Sequence, residues 1–454
     1  MRAKPLVLGG WGRAPMAPVA AFRPERLSEL GAALVASAGG GGLLARGGGR
    51  SYGDQALNRD GHVLLTERLD RVLGFDPVTG VLVAEPGLTF RELLRLFLPR
   101  GWLAPASPGT AFATLGGAVA NDVHGKNHDR SGGFGDHVLW LDLVLADGSQ
   151  RRVSQDSDPA LFHATIGGMG LTGIISALAV RLMAVPSNAV DVRVQRVADL
   201  DAFMAALADA RAQSFYSVGW IDALARGRTL GRGILETAEP APEGVAAAAK
   251  AARRVPLDFP GFALNRWSVR AFNAAYFHRV STAGATRREP VEKFLYPLDS
   301  LTDWNRIYGK RGFHQFQCVI PDDAAARGIA QLLEAVARAG AASFLAVLKT
   351  LGSEGRGLLS FPLRGYTLAL DLPRRARTAE LFARLETITL DHGGRIYLAK
   401  DALLSAAGFQ RMYPKLGEFR RVLDEVDPHN RFSSDMARRL LVKPPRGPQL
   451  DRAA

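Results

Sequence analysis

Ten residues, Ala45-Arg-Gly-Gly-Gly-Arg-Ser-Tyr-Gly-Asp54, carry the first pattern in this chain that could do chemistry. Gly47, Gly48, Gly49 and Gly53 let the backbone approach a ligand closely and take positive φ. Successive N–H groups in such a turn form an anion-binding concavity, and Arg46 and Arg50 add positive charge without competing acceptors. Ser51 and Asp54 close the loop, and the whole suits a pyrophosphate. The competing reading, a plain surface turn, loses ground to a second glycine-rich stretch at residues 107–128. There Gly116, Gly117, Ala118 and Ala120 are small enough for the chain to lie flat against a planar group such as an isoalloxazine ring. Asn121, His124, Lys126 and Asn127 offer polar contacts beside it.

A third set lies on strands. Side chains alternate across a strand, so Gln315 shares a face with Gln317, Lys349 with Leu345 and Val347, and Thr367 with Ala369. Polar groups repeated at that spacing on a buried strand need partners, which makes Gln315, Gln317 and Lys349 candidates for sugar hydroxyls or phosphate; solvent-facing polarity is the plain alternative. Two further patterns are set aside. His124 and His128 could share a helix face as metal ligands, but Gly125 weakens a helix there and no carboxylate completes a motif, so no metal is expected. Gly168-Met-Gly-Leu-Thr-Gly173 spells G-x-G-x-x-G, yet a helical segment precedes it and the β-branched Ile174-Ile175 follows, the reverse of a dinucleotide-binding site.

The elements that must hold these groups are legible in outline. Short β-rich pieces at 63–66, 72–75 and 81–84 read as one small sheet. Thr89 and Glu92 form a capping box for a helix that Pro99 and Gly101 stop. Asp147-Gly148 turns a hairpin, and Asp158-Pro159 starts a helix. Strands are expected at 313–320, 343–349 and 366–371, with a helix at 323–339. Residues 1–187 read as a cofactor-binding domain, 188–394 as a substrate domain and 395–454 as a return to the first, ending in a frayed tail from 443. Between 238 and 292 aromatic residues alternate with Arg253, Arg254, Arg266 and Arg270, which fits either a lid meeting lipid or plain core helices.

Composition narrows the class. Hydrophobic residues make up 47% and charged residues 22% of 454, as in globular proteins large enough for two domains. No eighteen-residue apolar run and no signal peptide is evident, so a cytoplasmic protein, or one peripheral at the inner membrane, is expected. The net charge of +13 is scattered in arginine pairs without a nucleic-acid-binding motif; no nucleic-acid partner is expected, and an anionic membrane face or a phosphorylated substrate is the specific reading.

The 45–54 loop, Pro108-Gly109-Thr110, Thr114-Leu115-Gly116-Gly117, His124-Gly125-Lys126-Asn127-His128 and Gly173-Ile174-Ile175 together resemble the FAD-binding domain of the vanillyl-alcohol oxidase superfamily. Within it the chain is most similar to the polyprenylphosphoryl-ribose oxidases, through Trp304–Tyr308, residues 313–321, 394–401 and 434–439. The resemblance implies an α+β, two-domain fold: a PCMH-type FAD-binding domain and a substrate domain built on an antiparallel sheet. It implies FAD phosphates on Arg46 to Gly53, and the flavin near Gly109, Thr114, Leu115, Gly116, Gly117, Asn121, Asp122, Val123, His124, Ile175 and Tyr397. Arg50 stands where many members carry a flavin-linked histidine, so the FAD should be dissociable.

The implied reaction oxidises the 2-hydroxyl of a lipid-linked phosphoryl ribose, the first half of epimerisation to arabinose. A separate NAD(P)H-dependent reductase and peripheral membrane contact would complete it. Lys400, three residues past Tyr397, is the expected proton acceptor, with Tyr52 and His124 orienting; an ion pair of Lys400 with Asp401 is the structural alternative. Gln315, Gln317, Lys349, Thr367 and Lys126 are expected on the substrate. Ala369 replaces a cysteine that nitroaromatic inhibitors capture in those relatives. Aldonolactone and alditol oxidases are the runner-up, with His-Trp-x-Lys where this chain has Tyr397-Leu-Ala-Lys400.

Overall fold

The computed structural model describes residues 2–38, 40–246, 252–341 and 344–443. Its first sheet has the order Lys4–Gly9, Met16–Phe22, His62–Leu65, Leu43–Arg46, with the last three strands parallel. Leu43, Leu44, Val63, Leu64 and Leu65 are buried on both faces, as parallel strands require. The Leu43–Arg46 strand ends where the first glycine loop begins, so a rigid element aims the loop.

The second sheet is antiparallel, in the order Val72–Asp76, Val81–Ala84, Ile174–Arg181, Val138–Val144, Gln150–Ser154. The three short β pieces expected in one sheet are thus divided between two. The burial patterns give the reason: His62–Leu65 carries a continuous buried run, whereas Val81–Ala84 alternates. The helix Phe90–Phe97 has the Thr89/Glu92 capping box, and Gly101 ends it in the left-handed region at φ 80°. Pro159–Thr165 is capped by Asp158 and followed by the G-x-G-x-x-G turn and then the Ile174–Arg181 strand, helix before and strand after.

The third sheet has eight antiparallel strands, in the order Ala285–Pro290, Ala189–Val197, Gly233–Pro240, Tyr216–Ile221, Ala346–Leu351, Gly365–Pro373, Phe313–Pro321, Arg395–Ile396. The expected strand at 343–349 begins later, at Ala346, and Ser343 lies outside the described residues, as do 247–251 and, of the tail expected to fray from 443, residues 444–454; Lys443 itself is described and its Nζ donates to Asp427 O at 2.6 Å. The helix expected at 323–339 runs Ala325–Ala339. After the Arg395–Ile396 strand the chain crosses to the first loop. Tyr52 N donates to Ala399 O at 2.9 Å, and Leu43 N donates to Arg431 O at 2.7 Å.

Candidate active site

The two glycine-rich stretches touch. A Cβ on Gly47 would come within 2.1 Å of Thr114 Oγ1, and one on Gly48 within 2.5 Å of Phe112 O, so only glycine permits this approach. Thr114 itself caps the Leu115–Ala120 helix by accepting from Gly117 N. Among the described residues, the amides of Gly47 to Arg50 donate to no carbonyl or side chain. Arg50 lies over the rings of Trp11 (4.6 Å) and Phe112 (5.0 Å), and its buried Nε is without a partner among the described residues. A run of open amides beside a half-buried guanidinium with an open Nε is what a pyrophosphate needs, so the residues fit FAD.

Several neighbours hold the cradle instead of lining it. The Arg46 guanidinium, expected on a phosphate, donates to Ala56 O and Gly9 O, both at 2.8 Å, and braces the loop from beneath. Ser51 Oγ donates to Gln55 Oε1, Gln55 Nε2 to Asn121 Oδ1, and Asn121 Nδ2 to Gly117 O, which stitches loop to helix. Tyr397 OH donates to Asn121 O at 3.1 Å. Asp122 adopts φ 39° and accepts from Gly135 N and Ser360 Oγ; its carboxylate faces the scaffold, and burial lifts it to about 6. Val123 and Ile175 are buried apolar residues, while Gly109 has open space where a side chain would stand.

The polar residues of the large sheet form one face, as their spacing predicts. Gln315 pairs with Asp371, Gln317 with Ala369, Val347 with Ala369, and Lys349 with Thr367. Gln317 Nε2 donates to Thr367 Oγ1 at 3.2 Å and lies 3.0 Å from His124 Nε2. With that nitrogen accepting, the proton of His124 is on Nδ1, which is buried and unpartnered among the described residues. Burial, with Lys349, His128 and Lys400 nearby, holds His124 well below the usual imidazole range, so it is neutral.

Three lysines meet this face. Burial lowers Lys126 to about 8 and Lys349 to about 7. Lys126 Nζ donates to Phe294 O, and Lys349 Nζ donates to Gly125 O at 3.3 Å. Lys400 is held near 8, again by burial, with its amine 3.9 Å from the centroid of the Tyr52 ring. Asp401 is not its partner: that carboxylate accepts from Arg439 at 2.8 Å and from the amides of Leu403 and Leu404. Tyr52 is buried, and its hydroxyl stays protonated far above the usual range.

Asp371 was not among the expected residues. It is 0% exposed, accepts from Gln315 Nε2 and from Tyr308 OH at 3.4 Å, and burial raises it to about 7. The signal was present, because the period that picks out Thr367 and Ala369 reaches Asp371 next. His128 is committed elsewhere: Nδ1 accepts from Gly352 N at 2.9 Å. Among the described residues no group of three or more His, Cys, Asp or Glu could hold a metal ion.

Residues 18–154 match the FAD binding domain family, and residues 368–440 match the D-arabinono-1,4-lactone oxidase family. With the glycine cradle and the lysine-lined sheet face, these matches define an FAD-dependent oxidoreductase acting on CH–OH groups, with the two-domain PCMH-type fold. The chain is 34% identical over 449 residues to decaprenylphosphoryl-β-D-ribose oxidase of Mycolicibacterium smegmatis, covering 95% of this chain and 97% of the relative. It belongs to that family. An uncharacterised Streptomyces coelicolor protein is 34% identical over 372 residues, covering 78% of this chain and 100% of that one. Xylooligosaccharide oxidase of Thermothelomyces thermophilus is 30% identical over 183 residues, covering 39% of this chain and 36% of that one.

Proposed function

We propose that this protein oxidises the 2-hydroxyl of a polyprenylphosphoryl-β-D-ribose to the 2-keto sugar, and that a separate NAD(P)H-dependent reductase completes the epimerisation to arabinose. The observation that carries this reading is the convergence of Lys126, Lys349 and Lys400 with Gln315, Gln317 and Thr367 on one buried sheet face. Half-buried amines suit a phosphate, and fixed, buried amides suit sugar hydroxyls. FAD supplies the hydride acceptor. Lys400, with a depressed pKa, takes the hydroxyl proton, and neutral His124 and Tyr52 orient the reacting groups. Residues 1–187 with 395–454 serve the cofactor and 188–394 the substrate.

No helix among the described residues is long and apolar enough to cross a membrane. Leu257 (72% exposed), Phe262 (78%) and Trp267 (63%) stand near exposed Arg253, Arg266 and Arg270, which supports peripheral contact with an anionic membrane. Replacing Phe262 and Trp267 by Ser should lower co-sedimentation with anionic vesicles; unchanged binding would refute the contact. Arg50 in place of a linking histidine supports dissociable FAD, so acid should release the flavin into the supernatant, and fluorescence retained on a denaturing gel would overturn this.

The 368–440 match favours one second reading, oxidation of a soluble sugar lactone or alditol. Anaerobic flavin bleaching decides between them: a short prenylphosphoryl ribose should bleach the flavin at concentrations where free sugars and lactones do not.

A further inference from the structure

We propose that Asp371 is a positioning residue that fixes both the orientation of Gln315 and the protonation of Lys400. The inference rests on the sugar-oxidising reading of the same face. Asp371 occupies the Gly365–Pro373 strand directly across from Gln315 on Phe313–Pro321. Its Oδ1 accepts from Gln315 Nε2 and its Oδ2 from Tyr308 OH. An amide can be turned either way round, and a carboxylate accepts only, so this bond makes Nε2 face Asp371 and leaves the carbonyl end to the pocket. The Tyr308 ring stacks on Phe313 at 4.1 Å, Phe313 meets the Tyr52 ring edge-on at 5.6 Å, and the Lys400 amine lies over the Tyr52 ring. A continuous line of contacts therefore runs Gln315, Asp371, Tyr308, Phe313, Tyr52, Lys400.

Charge follows the same line. The groups around Lys400 are His124 and Lys349, which add no negative charge, Lys126 and Arg50 further out, the Tyr52 phenol, which stays protonated, and Asp371 with its partner Tyr308. Asp371 is the carboxylate that favours the ammonium form of Lys400, against burial, and Lys400 in turn favours the carboxylate. Without Asp371 the amine would lose its proton at lower pH. It would be neutral before the substrate arrives, but it would hold the transferred proton less well.

Asp371→Asn is isosteric and removes the charge. In the holoenzyme, Lys400 reactivity towards acetic anhydride, mapped by mass spectrometry across pH 6–10, should rise at a pH lower by ~1 unit than in the parent. The pH limb of anaerobic flavin reduction should move the same way, with the FAD-to-protein ratio unchanged. Identical labelling and rate profiles in variant and parent would overturn the inference. If Asp371→Asn does not fold, Tyr308→Phe removes a donor that favours the carboxylate; the same labelling shift should then appear near pH 7, and its absence would equally refute the proposal. A parent that prenylphosphoryl ribose fails to reduce would instead reject the substrate reading, while the labelling result would still decide the role of Asp371.

Discussion

The glycine-loop region and the face of the large sheet both bury polar side chains, and they satisfy them in opposite ways. Around the loop, Arg46 holds two carbonyls, Ser51, Gln55 and Asn121 form a chain, Asp122 takes an amide and a hydroxyl, and Asp54 takes two bonds from Arg439. On the sheet face, Lys126 and Lys349 each donate to one carbonyl and are pulled below their usual range, and His124 Nδ1 has no partner among the described residues. A buried polar group is costly unless bonded. A saturated region is therefore scaffold, and a region with open donors and displaced protons is where a ligand is to act. The loop amides and Arg50 Nε are the exceptions within the first region: among the described residues they have no partner, as the proposed pyrophosphate site requires.

Lys400→Met puts the largest strain on this contrast. It keeps the stem volume and removes the amine, so anaerobic flavin reduction should slow by ~10²–10⁴ with the FAD ratio intact. Flavin-free protein would make Lys400 a cofactor ligand, and near-parental reduction would remove it from the chemistry.

Arg439→Met tests the saturated side. The guanidinium bonds Asp54 twice and Asp401 once, and both carboxylates are nearly inaccessible. Losing it should cost about 3 kcal/mol in urea unfolding, because two buried charges lose their partner. FAD affinity should fall with stability while the pH limb of flavin reduction stays in place; a shifted limb with unchanged stability would erase the distinction between the regions.

A smaller effect is expected in anion binding. Lys349 and Lys126 carry a full charge only below about 7 and 8, so affinity for a prenyl phosphate should be highest under pH 7 and weaken as pH rises through that window. Loss of one charge corresponds to about tenfold. The bound anion favours the charged amines, so the limb in the complex should lie at higher pH than in the free protein. Equilibrium dialysis from pH 6 to 9 checks this, and a flat profile would mean that the lysines do not meet the anion.

The mildest change is Ala369→Cys. Ala369 is half-buried on the working face beside Gln317, whereas Cys318 points away, is fully buried, and is pushed up to about 12. The parent should form no adduct with a reducible nitroaromatic compound, and the variant should form one, at under ~1 kcal/mol change in stability. Intact mass decides, and an adduct on Cys318 would mean that the two faces of the strand are exchanged.

What the sequence made legible is what local pattern controls. The capping box at Thr89, the Asp147-Gly148 hairpin and the shared face of Gln315 and Gln317 need only neighbours in the chain. Sheet membership of Val81–Ala84 was not legible, because its partner Ile174–Arg181 is remote in sequence. The bracing role of Arg46 depends on where Gly9 and Ala56 come to rest, and the value of Asp371 depends on strands meeting on either side of it. Residue types named the chemistry, and long-range contacts decided which copies of each type were free to perform it.

The bond from Tyr52 N to Ala399 O joins the beginning of this chain to its closing stretch, as does that from Leu43 N to Arg431 O. During synthesis at a ribosome, the glycine loop emerges hundreds of residues before the partners that shape it. A nascent chain halted before residue 395 has the loop but neither Lys400 nor the Arg439 anchor. Flavin loading should therefore wait until the segment carrying Lys400 and Arg439 has been made and has folded back onto the loop.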